Sequence, residues 1–208
     1  MTVAGIDVGG ERKGFHAVAL RDGFFVATRK STDPSTIVDW CLEHTASIVA
    51  VDAPCTWSQA GLSRRAEREL NMNGQVIQCF KTPMRERADR QGLNGFYGWV
   101  FNGEKLYQQL AFHYRLFDGM RRDDLVVLET FPHAVVCALA KKVVTAKKKV
   151  AIRRKALCDR GYDISMLPNI DYVDAALCAL TAEAFLKDRW QCFGNKQEGF
   201  IVVPSSYY

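Results

Sequence analysis

The sequence predicts an α/β fold: a mixed five-stranded sheet flanked by helices, with an added C-terminal hairpin. Three observations carry this. Short β-rich runs alternate with amphipathic stretches; two of the apolar runs, VAGID and SIVAVD, close on an aspartate; and a long apolar segment, IDYVDAALCALTAEAFL, follows late in the chain. An acid that ends an apolar strand is aimed off the carboxyl edge of a sheet, where α/β folds place their ligands. At 208 residues, with 48% hydrophobic and 25% charged side chains, one domain over residues 1–208 with a sizeable core is expected.

VAGID, FHAVAL and FFVATRK are predicted strands, and Arg21-Asp22-Gly23 separates the second from the third as a hairpin turn does. In DPSTIVDWCLEH, Asp33 offers an N-cap and Pro34 a first helical position, after which Ile37, Trp40 and Cys41 follow at i, i+3 and i+4. SIVAVD is the fourth strand. Three hairpin strands, a crossover helix and a further strand make a mixed sheet. In SRRAERELNMNG, Ser63 is a cap and Asn73-Gly74 a stop, with Ala66 and Leu70 on one face. The stretch from Gln75 to Gly98 reads as irregular. A third helix is expected from Asn102 as cap, with Leu106, Leu110, Tyr114 and Phe117 as its stripe and Asp118-Gly119 as its stop. LVVLET is a short buried strand, AVVCALA a short helix, and KKKVAIRRKALCDR a basic helix ended by Gly161. Pro168-Asn169 then leads into the long helix, and WQCFGNKQEGFIVVP is a hairpin.

No apolar stretch approaches the roughly 18 residues that span a membrane, and MTVAGIDVGG has neither a basic leader nor a cleavage pattern. A cytoplasmic protein with no membrane partner is expected. Seven cysteines without a CxxC pair argue against a disulfide frame or a zinc knuckle. Residues 61–160 hold 20 Lys and Arg against 10 Asp and Glu, a balance of +10, while the remainder holds 8 against 13, or −5. A basic middle of this kind steers a polyanion, with nucleic acid, DNA or RNA, as the expected partner.

Four acids fall in the negative remainder: Asp7, Asp52, Asp171 and Asp174. The last two are three residues apart, on a helical stripe adjacent to the apolar stripe of Val173, Leu177, Leu180 and Ala184. Anions crowded beside a core repel one another and lose hydration, so they need a compensating cation or raised pKa values. Magnesium, or manganese, is the expected cofactor, because it prefers oxygen ligands and retained waters. Each acid also has a structural reading. Asp7 and Asp52 are acceptable strand-end turn residues, and Asp171 falls in a first helical turn, where the dipole favours a carboxylate. Asp174 has less excuse.

Three strands, a helix, a strand and a late acid-bearing helix is the order of the ribonuclease H-like fold. The stretches GIDVGG with Asp7, VDAP with Asp52, SRRAERELN, ETFPHAV with Glu129, DYVDAALCALTA and GFIVVP resemble the family catalogued as domain of unknown function 429. They span nearly the whole chain. That family is described as predicted nucleases of ribonuclease H-like fold. In the wider superfamily, Holliday-junction resolvases similarly combine an acid on strand one, an acid on strand four and paired acids on the last helix, and Asp7, Asp52, Asp171 and Asp174 look like that set. The resemblance implies a metal-dependent nuclease that hydrolyses phosphodiester bonds with two metal ions about 3.5–4 Å apart.

Glu129, closing LVVLE, is a fifth catalytic candidate, with pairing to an arginine as its alternative. His133 is a candidate for contact with phosphate, against a structural histidine. Arg64 and Arg85 are the candidate phosphate grips within a second basic group, where ion pairs at i, i+4 are the competing account. KKVVTAKKKVAIRRK carries eight positive residues in fifteen and no acid, a density that suits phosphate contacts or a solvated helix. The aromatics of GFYGWVF suit core packing or base stacking. Two further functions compete: a non-catalytic nucleic-acid or partner-binding module of the same fold, and an ATP-using enzyme of the actin and sugar-kinase type, whose first phosphate loop GIDVGG also resembles. The length argues against the latter, which needs two lobes and a second glycine-rich loop.

Overall fold

The computed structural model describes residues 1–92, 95–122 and 124–205. Strands β1 (Thr2–Val8), β2 (Phe15–Arg21) and β3 (Phe24–Ser31) form an antiparallel meander. Helix α1 (Pro34–Glu43) then crosses to β4 (Ala46–Asp52), which pairs with β1 in parallel. The expected cap is present, since the Asp33 carboxylate accepts from the Ser35 amide at 3.0 Å.

After β4 come α2 (Arg65–Glu69), the small pair β5 (Asn71–Met72) and β6 (Gln75–Val76), α3 (Arg85–Asp89), α4 (Gly98–Leu110) and β7 (Arg115–Leu116). Strand β8 (Val126–Glu129) lies parallel to β4. Helices α5 (Pro132–Ala140), α6 (Lys149–Cys158) and α7 (Ile170–Leu186) precede the hairpin of β9 (Trp190–Asn195) and β10 (Gly199–Pro204). The main sheet runs β3-β2-β1-β4-β8-β10-β9, with β7 also against β8. Its first five strands, with three antiparallel, then two parallel to the first, have the ribonuclease H-like arrangement. The C-terminal hairpin extends this sheet through the pair Ile201 and Glu129, so the sheet is larger than the five strands expected.

Side-chain alternation divides the strands between two layers. Val3, Val18, Leu20, Ile48, Ala50, Val126 and Leu128 pack with α5 and α7, whereas Ala4, Ile6, Ala17, Ala19, Val49, Val51 and Val127 pack with α1 and α4. α7 is buried almost all round, which explains why its sequence is apolar well beyond one stripe.

Two expectations about α4 fail. The helix starts four residues before Asn102, whose amide instead donates to the Gly9 carbonyl at 2.9 Å, and it stops at Leu110. Tyr114 and Phe117 lie beyond it, buried by other contacts, with the Tyr114 hydroxyl on the Ala46 carbonyl at 2.9 Å. Ser63 likewise does not cap α2. Arg64 holds that position, and the Glu67 carboxylate accepts from its amide at 3.1 Å.

Gly5 sets how closely α7 approaches the sheet. A Cβ there would stand 2.0 Å from the Ala175 carbonyl oxygen and 2.1 Å from the Ala179 nitrogen, both backbone atoms that cannot rotate away. Gly5→Ala is therefore expected to cost about 3 kcal/mol or more. An unchanged urea midpoint for this variant would show that α7 does not rest on β1 here.

Candidate metal centre

Gly5 faces α7, so two residues later Asp7 faces the same way, at the carboxyl end of β1. Its register partners are His16 on β2 and Asp52 on β4. Three neighbouring strands thus present, at one level and on one face, the row His16, Asp7, Asp52. The N-terminal turn of α7 closes over this row. Asn169 caps the helix, accepting from the amides of Asp171 and Tyr172 at 3.0 and 3.2 Å, and thereby fixes where Asp171 and Asp174 enter. Asp7 thus lies within electrostatic reach of Asp52, Asp171 and Asp174.

Two cations from outside the row meet them. Lys13, on the turn between β1 and β2, places its Nζ 3.0 Å from Asp7 Oδ2 and 2.8 Å from Asp171 Oδ1. Arg153 of α6 forms a buried ion pair with Asp174 Oδ2. Counting Asp7, Asp52, Asp171 and Asp174 against Lys13 and Arg153 leaves a formal charge of −2, with every carboxylate ionised.

That excess is visible in the acidities. Burial pushes Asp7 up to about 6, with Lys13 opposing and Asp174 and Asp171 adding to the rise. Burial also raises Asp52 well above the carboxylate range, and the charges of Asp7 and Asp174 raise it further. Asp174 is raised by burial against the pull of Arg153. For Lys13, burial works downward, but the charges of Asp7 and Asp171 win and raise it, so the ammonium stays charged. Burial lowers His16, leaving its imidazole neutral near pH 7.

The donors fit a hard divalent cation. Carboxylates come from three separate elements, the charge of the fully ionised set matches one dication, and the buried Asp174 Oδ1 has no hydrogen-bond partner among the described residues.

Glu129 is neutralised by Arg64 and is not a member of the row, although its charge still helps to raise Asp52. It pairs in register with Val51, which faces α1 and α4, so alternation turns the glutamate to the opposite layer from Asp52. There Arg64 grips it with both terminal nitrogens, at 2.8 and 2.5 Å, and the Cys55 amide donates to it at 2.8 Å. The same contacts correct the reading of Arg64 as a phosphate grip. It is 1% exposed, and its Nε bonds Glu67 at 2.8 Å, so its guanidinium is committed within the fold.

Arg85 is half-exposed, paired with Glu104 and 3.7 Å from Asp89, with its guanidinium over Trp57 and Phe101. These contacts, and not the aspartate cluster, hold it. His133 is buried near the start of α5, with its Nε2 4.0 Å from Cys137 Sγ. Burial and the charge of Arg153 both lower its pKa, which makes it a neutral structural ring behind Arg153. Tyr97, Val100 and Phe101 of the aromatic segment are buried in one cluster, with Phe96 exposed.

Sequence reasoning missed Lys13, His16 and Arg153. For His16 a signal existed: Gly9 and Gly14 bracket a turn, and residues symmetric about it, Asp7 and His16 included, become cross-strand partners. For Lys13 and Arg153 nothing in the sequence singles out the one cation that turns inward.

The chain belongs to the family described as protein of unknown function (DUF429), whose model matches residues 5–199. No curated protein matches it. Among solved structures it is similar to a RuvC structure from Thermus thermophilus, at 18% identity and a TM-score of 0.43, over 90% of this chain and 96% of that one. Among the described residues, no helix is long and apolar enough to cross a membrane.

Proposed function

We propose that this protein is a divalent-metal-dependent nuclease that hydrolyses phosphodiester bonds in nucleic acid. The observation that carries the reading is the level row of Asp7 and Asp52 under the Asp171 and Asp174 turn of α7, with two anionic charges uncompensated. Asp7, Asp52, Asp171 and Asp174 would hold magnesium or manganese, which supplies water activation and stabilisation of the leaving oxygen.

The chain's own residues supply the rest. Lys141, Lys142, Lys147, Lys148 and Lys149 are exposed on the segment leading into α6, and Lys149 is close enough to act on Asp174 electrostatically. This basic run therefore borders the acid cluster, which supports its role as the surface that draws a phosphate backbone to the site. Arg153 holds Asp174 in place from the same helix.

The test is cleavage of labelled single-stranded, duplex and branched DNA and RNA by purified protein, with magnesium or manganese and with EDTA. Metal-dependent fragments are expected, reduced at least 100-fold in Asp52→Asn, with a metal-free melting temperature no lower than the parent's. Salt-sensitive binding without any product would favour the second reading, a binding module. The pairing of Lys13 and Arg153 with three of the four acids is the observation on that side.

A further inference from the structure

We propose that Asp7, His16 and Asp171 form a position for a divalent metal of the zinc and cobalt class, on the β2 side of the acid cluster. The proposal rests on the cation-binding reading of the same carboxylates, and it adds to that reading a nitrogen ligand and a metal class.

One ligand atom from each of the three residues lies within 4.8 Å of the others. Tetrahedral ligands about 2.1 Å from a metal lie roughly 3.4 Å from one another, so side-chain movements of up to about 1.4 Å complete the set. The second observation is His16 itself. It is 1% exposed, neither ring nitrogen has a hydrogen-bond partner among the described residues, and Nε2 lies 4.0 Å from Asp171 Oδ2. A buried imidazole with both nitrogens unused is unfavourable. One of its neighbours is the edge-on ring of Tyr172, at 4.9 Å between centroids, which an apolar side chain would meet equally well.

A nitrogen donor selects among metals. Magnesium takes oxygen ligands and retained waters, whereas neutral imidazole suits zinc and its transition-metal neighbours. The cluster thus has two unlike halves that share Asp7, one with the oxygens of Asp52 and Asp174, the other with the nitrogen of His16.

In this structure Lys13 Nζ stands between Asp7 and Asp171 as a single positive charge would. Its stem crosses Gly9, where a Cβ would come within 2.4 Å of Lys13 Cδ, so the absence of a side chain at Gly9 lets the lysine reach inward. The Lys13 side chain is 41% exposed, and rotation about its own bonds takes the ammonium to solvent. Lys13 is then the tethered occupant that an incoming metal displaces.

The experiment uses the full chain with its four histidines labelled by nitrogen-15 and titrated with zinc in the presence of excess magnesium. A ring nitrogen of His16 is expected to shift to the metal-bound range at one equivalent of zinc. Cobalt should give visible d–d bands that weaken in His16→Gln, with at least a tenfold loss of cobalt affinity. A His16 ring that stays unmoved in saturating zinc overturns the proposal, and this readout needs no variant to fold. Magnesium-dependent cleavage together with an unmoved His16 would sink this inference and leave the nuclease reading standing. Zinc bound through His16 with no nucleic acid cut would do the reverse.

Discussion

Replacing Asp7 by Asn is expected to abolish metal-dependent cleavage, by on the order of 10³-fold, while making the metal-free protein more stable at pH 7. The second half of this expectation separates a metal ligand from a structural acid. Asp7 sits in the middle of the row, with its pKa raised from 3.8 to about 6. Well above pH 6 the folded protein carries this buried charge, and the shift corresponds to a penalty of roughly 3 kcal/mol. Between pH 6 and about 4 the folded state binds a proton that the unfolded state does not, so stability rises as the pH falls through this window.

Asn carries no charge and escapes the penalty, which is already net of the attraction of Lys13. Urea denaturation with EDTA should therefore place Asp7→Asn above the parent at pH 7 and level with it, or below, near pH 4. Saturating magnesium should stabilise the parent and leave the variant unchanged. A variant less stable than the parent at pH 7 in EDTA would mean that Asp7 is held by the fold and not waiting for a cation.

Arg64→Ala is expected to cost 3–5 kcal/mol, because it strands Glu67 and Glu129, both buried, without their partner. Arg64→Lys should recover little, since an ammonium cannot meet Glu129 with two nitrogens while reaching Glu67 with a third. The measurement is again chemical denaturation, and a loss under about 1 kcal/mol would reject the buried network. Glu129→Gln supplies the contrast: stability should fall, while magnesium affinity stays within a few-fold of the parent, because the Glu129 carboxylate is committed to Arg64. A large loss of magnesium affinity would restore it to the metal site.

Much of this was legible in the sequence because alternation and helical period are local rules. Two apolar runs ending in Asp7 and Asp52 announce strands that finish at one edge, and Asp171 and Asp174 share a helical stripe. Glu129 ends its run in the same manner and is nonetheless elsewhere. The difference is one residue of register: Glu129 lies level with Val51, not with Asp52. No local pattern reports that. Asn102 misled for a related reason, since a cap-forming side chain is equally able to bond a remote carbonyl, here Gly9.

By itself, then, the chain determined the order of the main strands and helices, but not the short α3, β6 and β7 within stretches read as irregular or helical, and it placed Asp7 and Asp52 at the ends of strands, since these follow from backbone period and burial. The cations were decided only by tertiary structure. Twenty-eight lysines and arginines are nearly interchangeable in sequence, and long flexible side chains carry no periodic signature of their targets. Lys13 and Arg153 were selected by the packing of a turn and of α6 around the acid row, and Arg64 was drawn into the interior by Glu67 and Glu129. The physical reason is that a charge is assigned to its partner by distance in space, which the fold alone sets.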